Sequence, residues 1–387
     1  MLNQHHPLLN SVDSYIEPLI NRVLQSGKFG KINDSCIYCI SYGEIEIHSI
    51  SSSCSNTKGD RFNLYIPYAR QNLVWNVFFD SQCPEMGPDF IFNDDTFLAD
   101  VDMDTLSTKV PSLAKWNPND EDALLNVLLE LLLCYKQHQI QILKKQERLQ
   151  FEYSTLVETA EVKEEDVEMI LLPIGSKATE ARFLISLSVD LSQLSTRIRK
   201  SENDVATLII TFSGPDWNSI VPVLVLSKSL EHVLRGSSAI QIPPFPFSKC
   251  LMDYIPEIKK CIEEKINFLT YCYNKRCDFV SIVYGIHRES IIEYDATMFY
   301  YISLIMQEER FAYIVHFRLP PEFPNEKPLI KIESIYHMTQ SGQLYSEILN
   351  NFPYQIRWDI PHIIKKIFAH IEKSLVRFKH NFGKRNC

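Results

Sequence analysis

The sequence predicts an α+β fold made of tandem copies of one unit, each an antiparallel meander sheet packed on helices. Three observations carry this. One order of elements (helix, three strands, proline corner, short strand, long loop, tryptophan, helix) runs near the start and again near the end. Both corners read Pro-x-x-x-Pro, Pro84 with Pro88 and Pro324 with Pro328. A tryptophan closely trailed by a proline, Trp116 with Pro118 and Trp358 with Pro361, follows the second corner proline by 28 residues in the first copy and 30 in the last. Such an ordered set signals an internal repeat.

The elements follow from periodicity and punctuation. Ile16, Leu19, Ile20, Val23 and Leu24 make one helical face over residues 13–26, with Asp13 or Ser14 to cap it and Gly27 to end it. Strands are expected at 44–50, 61–66, 73–79 and 89–92, where β-formers lie between polar turns. Asn119 or Asp120 should cap a single long helix over 121–150, Leu-rich in its first half. In the last copy, Ile255, Ile258, Ile262, Ile266 and Leu269 line a helix that continues toward Phe279 and Val283. Strands follow at 290–294, 298–306 and 310–319, then a short strand at 329–332 and a loop to Trp358. Ile363, Ile364, Ile367, Ile371, Leu375 and Phe378 line the final helix. Each proline after a tryptophan suits the first helical turn, where its missing N–H had no partner.

The middle gives a fainter copy. Strands are expected at 167–172, 181–189, 205–213 and 221–226, and Pro215 and Pro222 could mark its corner, though they lie seven residues apart and not four. The expected domains are therefore 1–150, 151–275 and 276–387, within the two or three that 387 residues imply.

Composition narrows the function. Hydrophobic residues at 45% and charged residues at 22% exclude a disordered or collagen-like chain. The start, MLNQHHPLLN, has no export signal, and the apolar stretch 123–135 is interrupted by Asn126 and Glu130, which makes it a buried helix and not a membrane span. The ten cysteines read as reduced and packed, and the Cys36–Cys39 pair lacks the second pair a zinc site needs. No cofactor or metal is expected. The net charge of −9 argues against nucleic acid as a partner. It is also uneven. Residues 80–122 hold eleven acids and two bases, whereas 361–387 hold seven bases and one acid.

Helix, meander, proline corner, long loop, tryptophan and helix together resemble the ubiquitin-conjugating fold. That family carries His-Pro-Asn, then Gly-x-x-Cys, in the loop. Here His337 is followed by Met338 and Thr339, and Gly342-Gln343-Leu344-Tyr345 puts Tyr345 in the cysteine position, 13 residues before Trp358. A phenol of pKa about 10 cannot replace a thiolate. The pattern is similar to the non-catalytic UEV variants, so His337, Gly342 and Tyr345 mark a degenerate active-site slot. The first copy has no cysteine between Cys83 and Cys134. Cys250, after Pro243-Pro244-Phe245-Pro246-Phe247, is the one cysteine arguable as catalytic, without a His-Pro-Asn or Trp-x-Pro.

Longer phrases, among them DRFNLYIPYA, PDFIFNDD and IYHMTQSGQLYS, resemble the BRE family of scaffold subunits of the BRISC deubiquitylase. Gly87 and Lys327 depart from that fold's usual double proline. The resemblance implies tandem UEV/RWD-type domains without catalysis. The implied partners are a JAMM-type zinc deubiquitylase with its pseudo-enzyme partner, a von Willebrand A-like subunit, and ubiquitin itself. It also implies cytoplasmic and nuclear locations, with roles in DNA-damage and cytoplasmic signalling. The chain has no His-x-His and no GxxxxGK[ST], so it is neither the zinc protease nor an ATP user. Candidate partner-binding residues are Asp94, Asp95, Asp100, Asp102 and Asp104 in the acidic stretch, Lys365, Lys366, Lys373 and Arg377 on the last helix, and Tyr354, which with Tyr345 and Trp358 could line a proline-peptide groove. Rival readings are an accessory UEV partner of an active conjugating enzyme, and a conjugating enzyme using Cys250.

Overall fold

A computed structural model describes residues 11–26, 45–52, 58–80, 82–158, 162–192, 205–234, 240–246, 248–339 and 341–385. Gly27, Cys36 and Cys39 lie outside them. The chain forms two compact units, one of residues 1–188, 205–230 and 241–260, the other of 189–204, 231–240 and 261–387.

The first unit holds two sheets. Helix α1 (Glu17–Ser26) precedes strands β1 (Glu46–Ser51), β2 (Arg61–Tyr68), β3 (Gln71–Phe78) and β4 (Asp89–Phe92), an antiparallel meander in sequence order. Alternation decides its faces. Phe62, Leu64 and Ile66 of β2 and Leu73, Trp75 and Val77 of β3 point inward and are buried. They meet Ile20 and Val23 of α1 and the Leu-rich face of α4 in one core. Short helices α2 (Met103–Lys109) and α3 (Pro111–Ala114) lead to α4 (Ala123–Leu143) and α5 (Glu147–Glu158).

The expected single helix over 121–150 is thus two, broken at residues 144–146. Gln146 at the break accepts a hydrogen bond from the Trp217 indole at 3.4 Å, a tertiary contact with no local signature. The N-cap is instead Asp122, whose side chain makes no capping bond and accepts from Arg22; the Asp120 carboxylate takes the Asp122 N–H and its carbonyl the Ala123 N–H.

The second sheet is the meander β5 (Val167–Leu172), β6 (Glu180–Ser188), β7 (Val205–Ser213) and β8 (Ser219–Leu226). Ile170, Leu184 and Ile209 join the core of the first sheet, which explains why β5 is buried on both faces. Polar bonds join the same two sheets. Ala69 and Arg70, both at positive φ (46° and 59°), turn β2 into β3. Glu168 accepts the Ala69 N–H at 3.1 Å, and Tyr68 donates to the Met169 carbonyl at 3.2 Å. Pro215 and Pro222 do not form a corner: Pro215 sits in the β7–β8 turn, and Pro222 pairs with Ile210 inside edge strand β8, where its missing N–H costs no ladder bond. Helix α6 (Lys228–Leu234) follows, then α7 (Leu251–Ile286), whose first N–H is capped by the buried Glu152 carboxylate at 2.7 Å. The expected 275/276 domain boundary falls inside this helix.

The second unit continues α7 and adds β9 (Ile291–Tyr294), β10 (Tyr301–Glu308), β11 (Phe311–Arg318), β12 (Leu329–Met338), β13 (Leu344–Leu349) and α8 (Ile360–Arg385). The strands form one meander in sequence order. Phe279 and Val283 of α7 and Ile363, Ile367 and Ile371 of α8 share its core. The expected loop after Ile332 is instead a longer β12 turning into β13, a strand absent from the expected set. Among the described residues no helix is long and apolar enough to cross a membrane.

Candidate functional site

The slot marked by His337, Gly342 and Tyr345 lies on the β12–β13 hairpin. Gly342, at φ +76°, forms the tip and donates its N–H to the Thr339 carbonyl at 2.9 Å. His337 lies at the end of β12 and Tyr345 at the start of β13. Strand alternation turns the Tyr345 ring inward, where it is 8% exposed and 5.0 Å from Phe378 of α8. The His337 ring stacks on Phe311 at 5.9 Å, and its Nδ1 lies 2.8 Å from Ser334 Oγ. Phe311 closes the cluster against Phe378 at 6.2 Å and carries the Lys379 ammonium on its face at 5.3 Å. His337 and Tyr345 thus share one ring cluster, filled by side chains, with the Tyr345 ring facing inward.

The two corners are each held by one aromatic donor. Trp116 packs on Phe79 at 5.9 Å and donates its indole N–H to the Pro84 carbonyl at 3.4 Å. Gly87 makes room for it: a Cβ there would lie 2.8 Å from Leu113 Cδ1 and 3.4 Å from Trp116 Cγ. Pro88 leads into β4, and Pro118 stands in the turn before α4. At the second corner the donor to the Pro324 carbonyl is the Tyr354 hydroxyl, not Trp358. Burial pushes the Tyr354 phenol above its ordinary pKa. Trp358 instead meets His362 edge-on at 4.8 Å. Lys327, at the position equivalent to Gly87, reaches the Asn350 carbonyl at 2.9 Å. Pro328 leads into β12, and Pro361 occupies the first turn of α8. Tyr345, Tyr354 and Trp358 make separate ring contacts, with Phe378, Phe352 and His362.

The acidic stretch divides by burial. Asp94 is not a surface residue: it is 2% exposed and accepts from Thr96 N at 3.1 Å, Thr96 Oγ1 at 2.6 Å and Gln139 Nε2 at 3.4 Å, with His138 Nε2 at 3.6 Å. Burial alone would raise its pKa, but the bonds from His138 and Thr96 outweigh that and hold the carboxyl below its ordinary value. The same Gln139 accepts the Leu171 N–H at 3.1 Å, so Asp94 belongs to the joint between the two sheets. Asp95, Asp100, Asp102 and Asp104 are exposed. Asp102 caps α2 through the Thr105 N–H at 2.7 Å, which lowers its pKa.

On α8, Lys365, Lys366, Lys373 and Arg377 are all exposed, and Arg377 lies 3.4 Å from Glu347. Cys250 stands just before α7 with its sulfur 3.3 Å from Asp253 Oδ2. Partial burial pushes its thiol up, and the adjacent carboxylate adds to that, the reverse of what a nucleophilic cysteine needs. Among the described residues no cluster of His, Cys, Asp and Glu could hold a metal ion.

A family model described as "Brain and reproductive organ-expressed protein (BRE)" matches residues 10–338. A Danio rerio protein named "BRISC and BRCA1-A complex member 2" is 33% identical over 383 residues, covering 96% of this chain and 95% of that protein. One of the same name from Branchiostoma floridae is 32% identical over 367 residues, covering 92% and 91%.

Proposed function

The chain belongs to the BRE family, and on that premise we propose that it is a non-catalytic scaffold subunit of a deubiquitylase complex. The relatives' printed name, member of the BRISC and BRCA1-A complexes, supports the subunit role. The observation that carries the lack of chemistry is the ring-filled slot, with Tyr345 where a conjugating enzyme has its cysteine and its ring packed on Phe378.

In this reading the three antiparallel sheets are three UEV/RWD-type domains, 1–150, 151–275 and 276–387. The scaffold joins a JAMM-type zinc deubiquitylase and its pseudo-enzyme partner to a von Willebrand A-like subunit. The assembly cleaves non-proteolytic polyubiquitin in the cytoplasm and serves DNA-damage signalling in the nucleus. The exposed acids Asp95, Asp100, Asp102 and Asp104 offer a surface to a basic partner or to ubiquitin.

Native affinity purification of the tagged full chain, read by mass spectrometry, tests this. Recovery of a zinc deubiquitylase in stoichiometric amount is expected. Recovery of an active conjugating enzyme in its place would favour the accessory reading and remove this one.

A further inference from the structure

The final helix has two unlike faces. Ile363, Ile367, Ile371, Leu375 and Phe378 are buried against the sheet. On the opposite side, Lys366, Ala369, Lys373, Val376 and His380 are all exposed. Their spacing runs 3, 4, 3, 4, the seam spacing of paired helices. Val376 is 71% exposed, and among the described large hydrophobic residues only Met103, at 74%, is more so.

The charges on this face are not balanced among the described residues. Among the described residues Lys365, Lys366 and Lys373 make no ion pair, and Lys373 lies one turn from Arg377, a like-charge pair that disfavours the helix by itself. Glu372 is the only acid on the exposed side. Lys379, beside the seam and half-buried, pairs with Glu308 at 2.7 Å. Lys365, Lys366 and Lys373, which point away from the body, are therefore left without an ion pair among the described residues, while Arg377 pairs with Glu347.

We propose that this face is a docking seam for an acidic amphipathic helix of a partner protein. This goes beyond the subunit reading and does not depend on which complex the chain enters. Charge complementarity calls for Glu and Asp on the partner, and the 3-4 spacing calls for a helix. Ala369 and Val376 supply a low apolar floor that lets a second helix approach. They are too small to anchor the face in a bilayer, where bulky Trp, Phe and Leu are needed. The seam has no exposed aromatic ring of Phe, Tyr or Trp on which a base would stack. From Lys366 to His380 it runs about 21 Å at 1.5 Å per residue, roughly four turns of a partner helix.

The test uses the full chain and fluorescence anisotropy. The probe is a labelled synthetic helix of four heptads with Leu on one stripe and Glu flanking it. Controls are a scrambled peptide of equal composition, a short DNA duplex, and phosphatidylserine vesicles. The amphipathic peptide should bind at least tenfold more tightly than the scrambled one. The double variant Lys366→Glu with Lys373→Glu should weaken binding at least tenfold, and replacing Glu by Lys in the peptide should restore it. Both positions are exposed, so an unchanged melting curve shows that the fold persists. Equal binding of the scrambled peptide, no effect of the reversal, or tighter binding to DNA or vesicles would overturn the proposal. Salt-sensitive self-association through the same lysines would assign the seam to a second copy and overturn it equally.

Discussion

The two proline corners solve one problem with different residues. Each exposes a carbonyl, at Pro84 or Pro324, that a donor from the downstream loop must satisfy. At the first corner the donor is the Trp116 indole, which also packs on Phe79 and fills the space Gly87 leaves open. At the second corner it is the Tyr354 hydroxyl, four residues before Trp358. Lys327 takes the place of Gly87 and bonds the Asn350 carbonyl instead. An aligned residue type can therefore keep its sequence position and lose its structural task to a neighbour.

The largest effect is expected at Trp116. Its replacement by Ala removes both packing and the donor and should cost about 3 kcal/mol, the lower end for large aromatic truncation. Trp358→Ala should cost about 1 kcal/mol, since only its packing on His362 and the nearby core is lost. Urea unfolding, resolved by hydrogen exchange in each sheet, separates the two. Equal costs would return Trp358 to the role its alignment suggests.

Next in size is a second pair of aspartates, each accepting the N–H two residues on. Asp94 adds side-chain donors, whereas Asp295 accepts backbone N–H groups from Thr297, Met298 and Tyr300 at 2.9 to 3.2 Å. Asp94→Asn should cost about 2 kcal/mol at neutral pH, as expected for bonds to a buried charge. The sign follows from its lowered pKa: the stabilisation is present above the unfolded value of about 3.9 and is lost as pH falls through the folded one. The gap between wild type and variant should therefore close on acidification. A gap unchanged down to acid unfolding would place the charge elsewhere.

Smaller still, Tyr354→Phe removes one hydrogen bond and should cost about 1 kcal/mol, with slower-exchanging amides of the last corner losing protection. Smallest is the exchange at the position before the second proline. Gly87→Ala should cost about 0.5–1 kcal/mol, because the atom it meets is the mobile end of Leu113, and Lys327→Gly should cost about as much. Both are read as shifts in urea midpoint.

Much of the fold was legible because strands announce themselves by alternation and turns. The expected 167–172 and 205–213 are the observed β5 and β7. Three features were not. Nothing in Lys144-Lys145-Gln146 breaks a helix, and the break is held by Trp217, 71 residues away. β13 lay hidden in a stretch that resembled a family's active-site loop, although Tyr345 and Leu349 alternate inward as a strand requires. Asp94 looked like its acidic neighbours, since a buried and a solvated aspartate are the same letter. Of the slot, the residue identities could be read, but not the ring cluster, because Phe311 and Phe378 come from distant elements.

The proposed scaffold role requires that this chain carry no ubiquitin-transferring nucleophile. Loading the full chain with activated ubiquitin, read on a non-reducing gel, tests it most directly. The expected result is no reducible adduct. A thioester that forms on the wild-type chain and disappears in Cys250→Ser would contradict it.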